Sequence, residues 1–182
     1  MSENDTDKLN ILIKQPRKLF HTKDLELLWG IKNKNTLYST INRYLKRKIL
    51  IQIYRGFYSI VESDKINDFE LGSSAIHNYC YLSTETILIK SGIIFQFIPY
   101  ITFCAARKKR VEILSKSFLC RKLDARYLYN TAGIIEHESY KEATPERAVA
   151  DMLFFNNKYY FDAKSLIDWE KVKTIQKEVG YI

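Results

Sequence analysis

The chain is poor in the residues that break or staple a fold. Six glycines and three prolines in 182 residues exclude collagen-like and low-complexity architectures, which need those residues in bulk. Cysteine is scarce: Cys80, Cys104 and Cys120 are three in number and far apart. An odd count without close pairing excludes a disulfide framework and a structural zinc site, which takes four ligands in paired clusters. The three are read as buried, reduced thiols. No apolar run approaches the roughly 18–20 residues of a membrane span. The opening stretch MSENDTDKLN is acidic and polar, unlike a secretory leader, so a cytoplasmic location is expected. His21, His77 and His137 fall in different elements and in no metal-ligating spacing. GxSxG, glycine-rich phosphate loops and HExxH are all missing. The expectation is therefore no enzyme: no catalytic residues, no cofactor and no metal.

A further gap concerns charge of one sign. Between Glu26 and Glu62 there is no acidic side chain, whereas Lys32, Lys34, Arg43, Lys46, Arg47, Lys48 and Arg55 all fall there. Residues 1–61 hold twelve Lys and Arg against five Asp and Glu, while residues 62–182 hold seventeen against sixteen. Nearly all of the net charge of +8 thus belongs to the first third. Solubilising surfaces mix signs; a one-signed surface points to a polyanion partner.

What is present is an ordinary folding composition, 46% hydrophobic and 27% charged, with thirteen Tyr and ten Phe to fill its cores. Residues 5–14 predict a helix burying Leu9, Leu12 and Ile13, stopped by Pro16. Lys18–Phe20 predicts a short strand. Thr22 is the expected N-cap of a helix over 23–29 with Leu25, Leu28 and Trp29 inward, ended by a left-handed Gly30. A second helix over about Asn35–Arg47, capped by Asn33 or Asn35, repeats Leu37, Ile41, Tyr44 and Leu45 on one face. Ile49–Tyr54 and Phe57–Val61 form a hairpin about Arg55-Gly56, for which a primed turn is expected. This order is that of a winged helix-turn-helix, complete within residues 1–61.

Residues 62–68, ESDKIND, read as a linker, and residues 69–182 as a mixed α/β domain, so the fold class expected is α+β. In that second domain, helices are expected over Phe69–Asn78 and from Ser83 to Gly92. Strand character falls at Tyr100–Ala106, Lys116–Leu123, Tyr127–Thr131 and Gly133–Tyr140. Thr144-Pro145-Glu146 is a strong helix start, with a capping hydroxyl, proline in the first turn and an acid at the positive end of the dipole. That helix runs to about Phe155 and buries Ala148, Val149, Met152 and Leu153. Asp162 is expected to cap a last turn before a closing helix, Trp169–Lys177.

The candidate contacts follow from the second helix of the helix-turn-helix, which enters the major groove in such folds. Lys34, Asn35, Thr36, Tyr38, Ser39, Asn42 and Arg43 present donors and acceptors suited to base edges and phosphates. Lys46, Arg47 and Lys48 suit phosphates at the helix C-terminal end, and Arg55 marks the wing tip. The run Arg107-Lys108-Lys109-Arg110 is a second basic patch, placed in a loop. It reads as a solvated loop, with a phosphate contact or an acidic-partner surface as alternatives. Glu136, Glu138, Glu142, Glu146, Asp151 and Asp162 together raise a metal-dependent nuclease as another reading, but nothing in their spacing requires convergence. A module binding an acidic protein rather than DNA is the third.

Three stretches, in order, are similar to one family. FHTKDLELLWGIKNKNTLYSTINRYLKRKILIQIYRGFYSI (20–60) resembles the N-terminal winged helix of AbiEi-type antitoxins from bacterial abortive-infection toxin–antitoxin systems. YLSTETILIKSGII (81–94) looks like the start of that family's C-terminal domain, and ATPERAVADMLFF (143–155) resembles its ATPEKAL-type helix. The sequence departs from the family pattern where Lys48 replaces a common glycine and Ile49 a more usual leucine. The resemblance implies a bacterial repressor that binds inverted repeats of double-stranded operator DNA, as a dimer or as cooperating monomers. It also implies an antitoxin countering a nucleotidyltransferase-like toxin encoded beside it, by direct contact or by antagonism at the toxin's target. The C-terminal domain would carry antitoxicity and cooperative repression.

Overall fold

The computed structural model describes residues 3–182, with side chains from residue 6 onward; Met1 and Ser2 of the acidic opening stretch lie outside the described residues. The chain is α+β and divides into two compact units, Met1–Leu71 and Gly72–Ile182.

The first unit runs α1 (Glu3–Ile13), β1 (Leu19–His21), α2 (Thr22–Trp29), α3 (Lys34–Lys46), β2 (Ile51–Tyr54) and β3 (Phe57–Ser59). Its small antiparallel sheet has the order β1-β3-β2, giving helices plus a wing. In α1, Leu12 is buried but Ile13 is 60% exposed, contrary to expectation. Leu12 is the α1 residue inside the core cluster with Phe20, Leu25, Trp29, Leu37, Ile41, Tyr44, Leu50 and Tyr58. The cap of α2 is also shifted by one residue. His21, not Thr22, is the N-cap, and the Asp24 carboxylate accepts from the His21 N–H at 2.7 Å. Gly30 closes α2 at φ 64°.

The hairpin turn differs from the primed form. Gly56 has φ 89°, but Arg55 keeps a negative φ, and a primed turn needs a positive φ at its first central residue. The register shifts between Gln52 and Tyr54, so a bulge absorbs the twist that a primed turn would have matched. Residues 62–68, expected to be a plain linker, hold a 3-10 turn over Ser63–Lys65 and the buried Ile66.

The second unit is built on a six-stranded mixed sheet. It contains α4 (Asp68–Ile76, whose first turn belongs to the first unit), β4 (Cys80–Leu82), α5 (Glu85–Lys90), β5 (Ile101–Ala105), β6 (Lys109–Ile113), β7 (Lys116–Lys122), α6 (Ala125–Leu128), β8 (Ile134–Glu136), β9 (Lys141–Ala143), α7 (Pro145–Phe155) and α8 (Trp169–Val179). The strand order is β6-β7-β5-β4-β9-β8, with β5–β7 and β4–β9 parallel and the other pairs antiparallel. Alternation along the strands divides the side chains between two faces. Phe103 and Phe118 meet Gly72 of α4, whereas Tyr81, Ser83 and Cys104 point at Asp151 of α7. All three cysteines are free and buried.

Several local expectations fail for identifiable reasons. Tyr127–Thr131, expected as a strand, begins inside α6; Tyr127 packs edge-on against Phe154 of α7, centroids 5.0 Å apart. Only Ile134–Glu136 of Gly133–Tyr140 is strand. Lys109 and Arg110 lie in edge strand β6 rather than in a loop. Thr84, not Ser83, precedes α5, at φ 51° and ψ −129°, because the Ser83 hydroxyl donates to Asp151 at 2.6 Å. Asp162 does not cap a helix; its carboxylate accepts from the Phe95 N–H at 2.9 Å, and Asp168 caps α8. The start of α7 is as expected, with the Thr144 hydroxyl accepting from the Arg147 N–H at 3.2 Å.

Candidate nucleic-acid interface

The orientation of α3 is set by aromatic packing beneath it. Trp29 and Tyr44 lie with ring centroids 5.2 Å apart. The Trp29 indole N–H donates to the Lys8 carbonyl at 3.3 Å, tying α1 to the same point. Leu37, Thr40, Ile41 and Tyr44 form the buried stripe. Thr40 is polar, and its hydroxyl is satisfied by the Thr36 carbonyl at 2.9 Å, so its burial costs little. At the other end, the Asn33 side chain accepts from the Thr36 N–H at 3.1 Å and so caps the helix. Asn35, the other cap considered, is inside the helix and exposed.

All eleven residues singled out in this unit are exposed: Lys34, Asn35, Thr36, Tyr38, Ser39, Asn42, Arg43, Lys46, Arg47, Lys48 and Arg55. Asn35, Ser39, Asn42 and Lys46 stand at i, i+4, i+7 and i+11 and therefore form one stripe along the helix. Arg43 and Thr36 flank it on one side, and Tyr38, 51% exposed, on the other. Thr36 is engaged in the cap, its hydroxyl 3.4 Å from Asn33 Oδ1. A helix of thirteen residues is about 20 Å long, and the major groove of duplex DNA is wide enough to admit an α-helix. Arg55 lies in the wing turn. Gln52 and Tyr54 on edge strand β2 are also exposed; they carry no charge, so the cation pattern gave no signal for them.

Lys48 is held at φ 55°, the left-handed region that glycine occupies freely and other L-residues only at a cost. A lysine is thus kept where the backbone favours glycine. Lys48→Gly is expected to raise stability by about 0.5–1 kcal/mol. Urea denaturation of the variant beside the wild type checks the sign.

In the second unit, Arg107, Lys108, Lys109 and Arg110 are all exposed, and Arg110 lies 3.7 Å from Glu112. The acids considered for a nuclease do not converge. Glu136 pairs with Lys141, and Glu142 sits 2.7 Å from Lys90 and 3.1 Å from His137. Burial pushes Glu142 up, but Lys90 and His137 outweigh it and hold the carboxyl below its usual range. Asp151 pairs with Arg147 inside the protein, both fully buried. Among the described residues no group of three or more His, Cys, Asp or Glu side chains is arranged to hold a metal ion.

The Arg147–Asp151 centre escaped the sequence reading, although an Arg and an Asp four apart on a helix are neighbours. Arg147 Nε donates to Asp151 at 2.8 Å, its Nη1 to the Ala132 and Asn130 carbonyls at 2.8 and 3.2 Å, and its Nη2 to Tyr81 Oη and the Tyr127 carbonyl at 2.7 and 3.1 Å. Those five bonds use all five guanidinium hydrogens. Asp151 also accepts from Ser83 at 2.6 Å, Tyr81 at 3.1 Å and Tyr181 at 2.6 Å. No donor is left over for a ligand, so this centre holds the fold together.

No family model matches this chain, and no curated protein does. Solved structures do. The fold is shared with a crystal structure of the RV2827C protein from Mycobacterium tuberculosis, at a TM-score of 0.54 and 12% identity, covering 100% of this chain and 76% of that one. At that identity the likeness is one of fold, α+β with a winged-helix-like N-terminal part. Among the described residues no helix is long and apolar enough to cross a membrane.

Proposed function

We propose that this protein is a DNA-binding antitoxin that represses its own operon through inverted repeats and neutralises a nucleotidyltransferase-like toxin. The observation carrying the DNA half is the α3 surface. It has a stripe of amides, hydroxyls and cations over a buried apolar floor, in a segment with no acid between Glu26 and Glu62. Phosphate contacts position such a helix and base contacts give it sequence preference. The antitoxin half rests on the sequence resemblance of residues 81–94 and 143–155. It is supported by a surface suited to a protein contact, since Phe95 and Phe97 are 73% and 91% exposed. Contiguous exposed apolar patches mark protein contacts, and Phe97 is the most exposed large hydrophobic among the described residues.

The test is paired. A reporter driven by DNA upstream of the protein's own gene is expected to be repressed on expression of the chain. Growth arrest by a neighbouring nucleotidyltransferase-like gene is expected to be relieved. Phe97→Ser is expected to lose the relief and keep the repression. Repression and relief both unchanged in that variant would remove the Phe95–Phe97 surface from the account. No repression by the wild type would remove the function itself.

A further inference from the structure

Part of the second basic patch is the edge of a sheet. Among the described residues β6 has β7 as its one neighbouring strand, so its other side presents a row of backbone groups with no strand beside it. The register runs without a break from Lys109↔Cys120 to Ile113↔Lys116, and KRVEI contains neither proline nor glycine. No bulge or proline therefore guards this edge against a further strand. The turn decides which groups face out. Leu114 and Ser115 both have positive φ, 50° and 60°, as in a two-residue primed turn closing the β6–β7 hairpin. In such a hairpin the closing pair, here Ile113 and Lys116, exchanges backbone hydrogen bonds. The alternation of an antiparallel ladder then turns the N–H and C=O groups of Lys109, Val111 and Ile113 toward β7 and those of Arg110 and Glu112 outward.

Arg110 and Glu112 make this edge self-complementary. Against a second, antiparallel β6, a register centred on Val111 sets Arg110 opposite Glu112 of the second copy and Glu112 opposite its Arg110. Each of those pairs exchanges both backbone hydrogen bonds. Lys109 then opposes Ile113 rather than another cation. The neighbouring registers that also bring outward groups together, centred on Arg110 or on Glu112, set like charge directly against like charge, which destabilises a ladder. Val111 meets its own copy at the axis in a non-hydrogen-bonded pair, with Cα atoms about 4.5 Å apart. Arg110 and Glu112 are exposed and Val111 is half-buried. Within one chain the two charges stand 3.7 Å apart, an exposed pair of small worth and therefore easily exchanged.

We propose that β6 pairs with β6 of a second copy of this chain, antiparallel about Val111, joining the two six-stranded sheets across a twofold axis. The contact is isologous, each copy supplying the same cation and the same acid. An acidic peptide or a nucleic-acid phosphate would meet Glu112 as a repulsive neighbour, whereas a second copy uses it. A ladder this short makes a weak dimer, favoured where two chains are held close together. Inverted repeats share its twofold symmetry. That use of the dimer rests on the DNA-binding reading, but the pairing of the edges does not.

Sedimentation equilibrium of the full chain, without DNA and from micromolar to millimolar concentration, is expected to show a reversible monomer–dimer equilibrium. Arg110→Glu and Glu112→Arg are each expected to weaken the dimer about tenfold or more, with cooperative unfolding retained. Mixing the two variants is expected to restore it, since their edges are then opposite in sign. The double variant, R110E with E112R, is expected to dimerise like the wild type. Val111→Cys is expected to give a disulfide-linked dimer on mild oxidation, because the separation at the axis lies within the roughly 4.4–6.8 Å that a disulfide spans, and the three native cysteines are buried. Should that variant fail to fold, the charge variants decide. The proposal is overturned by a chain that stays monomeric at millimolar concentration, by a dimer that survives both single substitutions, or by single variants whose mixture stays monomeric. Binding of an acidic peptide to this edge by a chain that does not dimerise would assign it to another occupant and overturn it too. None of these measurements contains DNA, so this proposal and the α3 reading fail separately.

Discussion

Arg147→Met is expected to lower the unfolding free energy by about 3–5 kcal/mol, the cost of leaving a buried charge without its partner. Asp151 would stay at 0% exposure with three hydroxyl donors, from Tyr81, Ser83 and Tyr181, but with no cation. The Tyr127, Asn130 and Ala132 carbonyls would each lose a donor in the same step. The loss follows from the uncompensated charge more than from the pair's own strength. Arg147→Met combined with Asp151→Leu should therefore recover a good part of it, because neither charge then remains buried. Urea denaturation of the single and double variants measures this. A single-variant loss below about 1 kcal/mol, as expected of surface pairs, would contradict the description of the centre as closed and fully desolvated.

The second large effect concerns α3. In the proposed DNA-binding role, Arg43→Ala is expected to cost about 1–3 kcal/mol on the matched operator and much less on a mismatched one, as for a side chain reading a base. Lys46→Ala is expected to weaken binding to all sequences alike, as for a phosphate contact. Both residues are exposed, and cooperative unfolding of each variant is measured beside its affinity. Competition titrations with matched and mismatched duplexes separate the two behaviours. Equal losses on both duplexes for both variants would mean that another part of the stripe faces the bases.

Most of the first unit was legible because its signals are local. Leu37, Ile41 and Tyr44 recur at helical spacing, Gly30 sits at a helix end, and Asn33 precedes an amphipathic run. Each of these has the same meaning in isolation as in the fold. The misplacements there, Ile13, Thr22 and the wing turn, are one-residue matters settled by packing and by the Asp24 cap. The second unit was less legible because its sheet joins distant segments. Lys109–Ile113, KRVEI, is strongly charged for a strand and is held by its register against β7. Cys80–Leu82 is three residues long and is defined by its partners β5 and β9. Tyr127 has strand propensity, but its packing against Phe154 and Tyr181 places it on a helix. The Arg147–Asp151 pair left a trace in sequence, yet its burial depends on carbonyls from Tyr127, Asn130 and Ala132, which no local pattern announces.

The claim that α3 and the wing form a DNA-binding face is tested most directly by titrating the protein against DNA from just upstream of its own gene over a range of salt concentrations. With about five to seven cations meeting phosphates, log affinity should fall linearly with log salt, at a slope of roughly −4 to −6. Binding that is absent, or indifferent to salt, would contradict it.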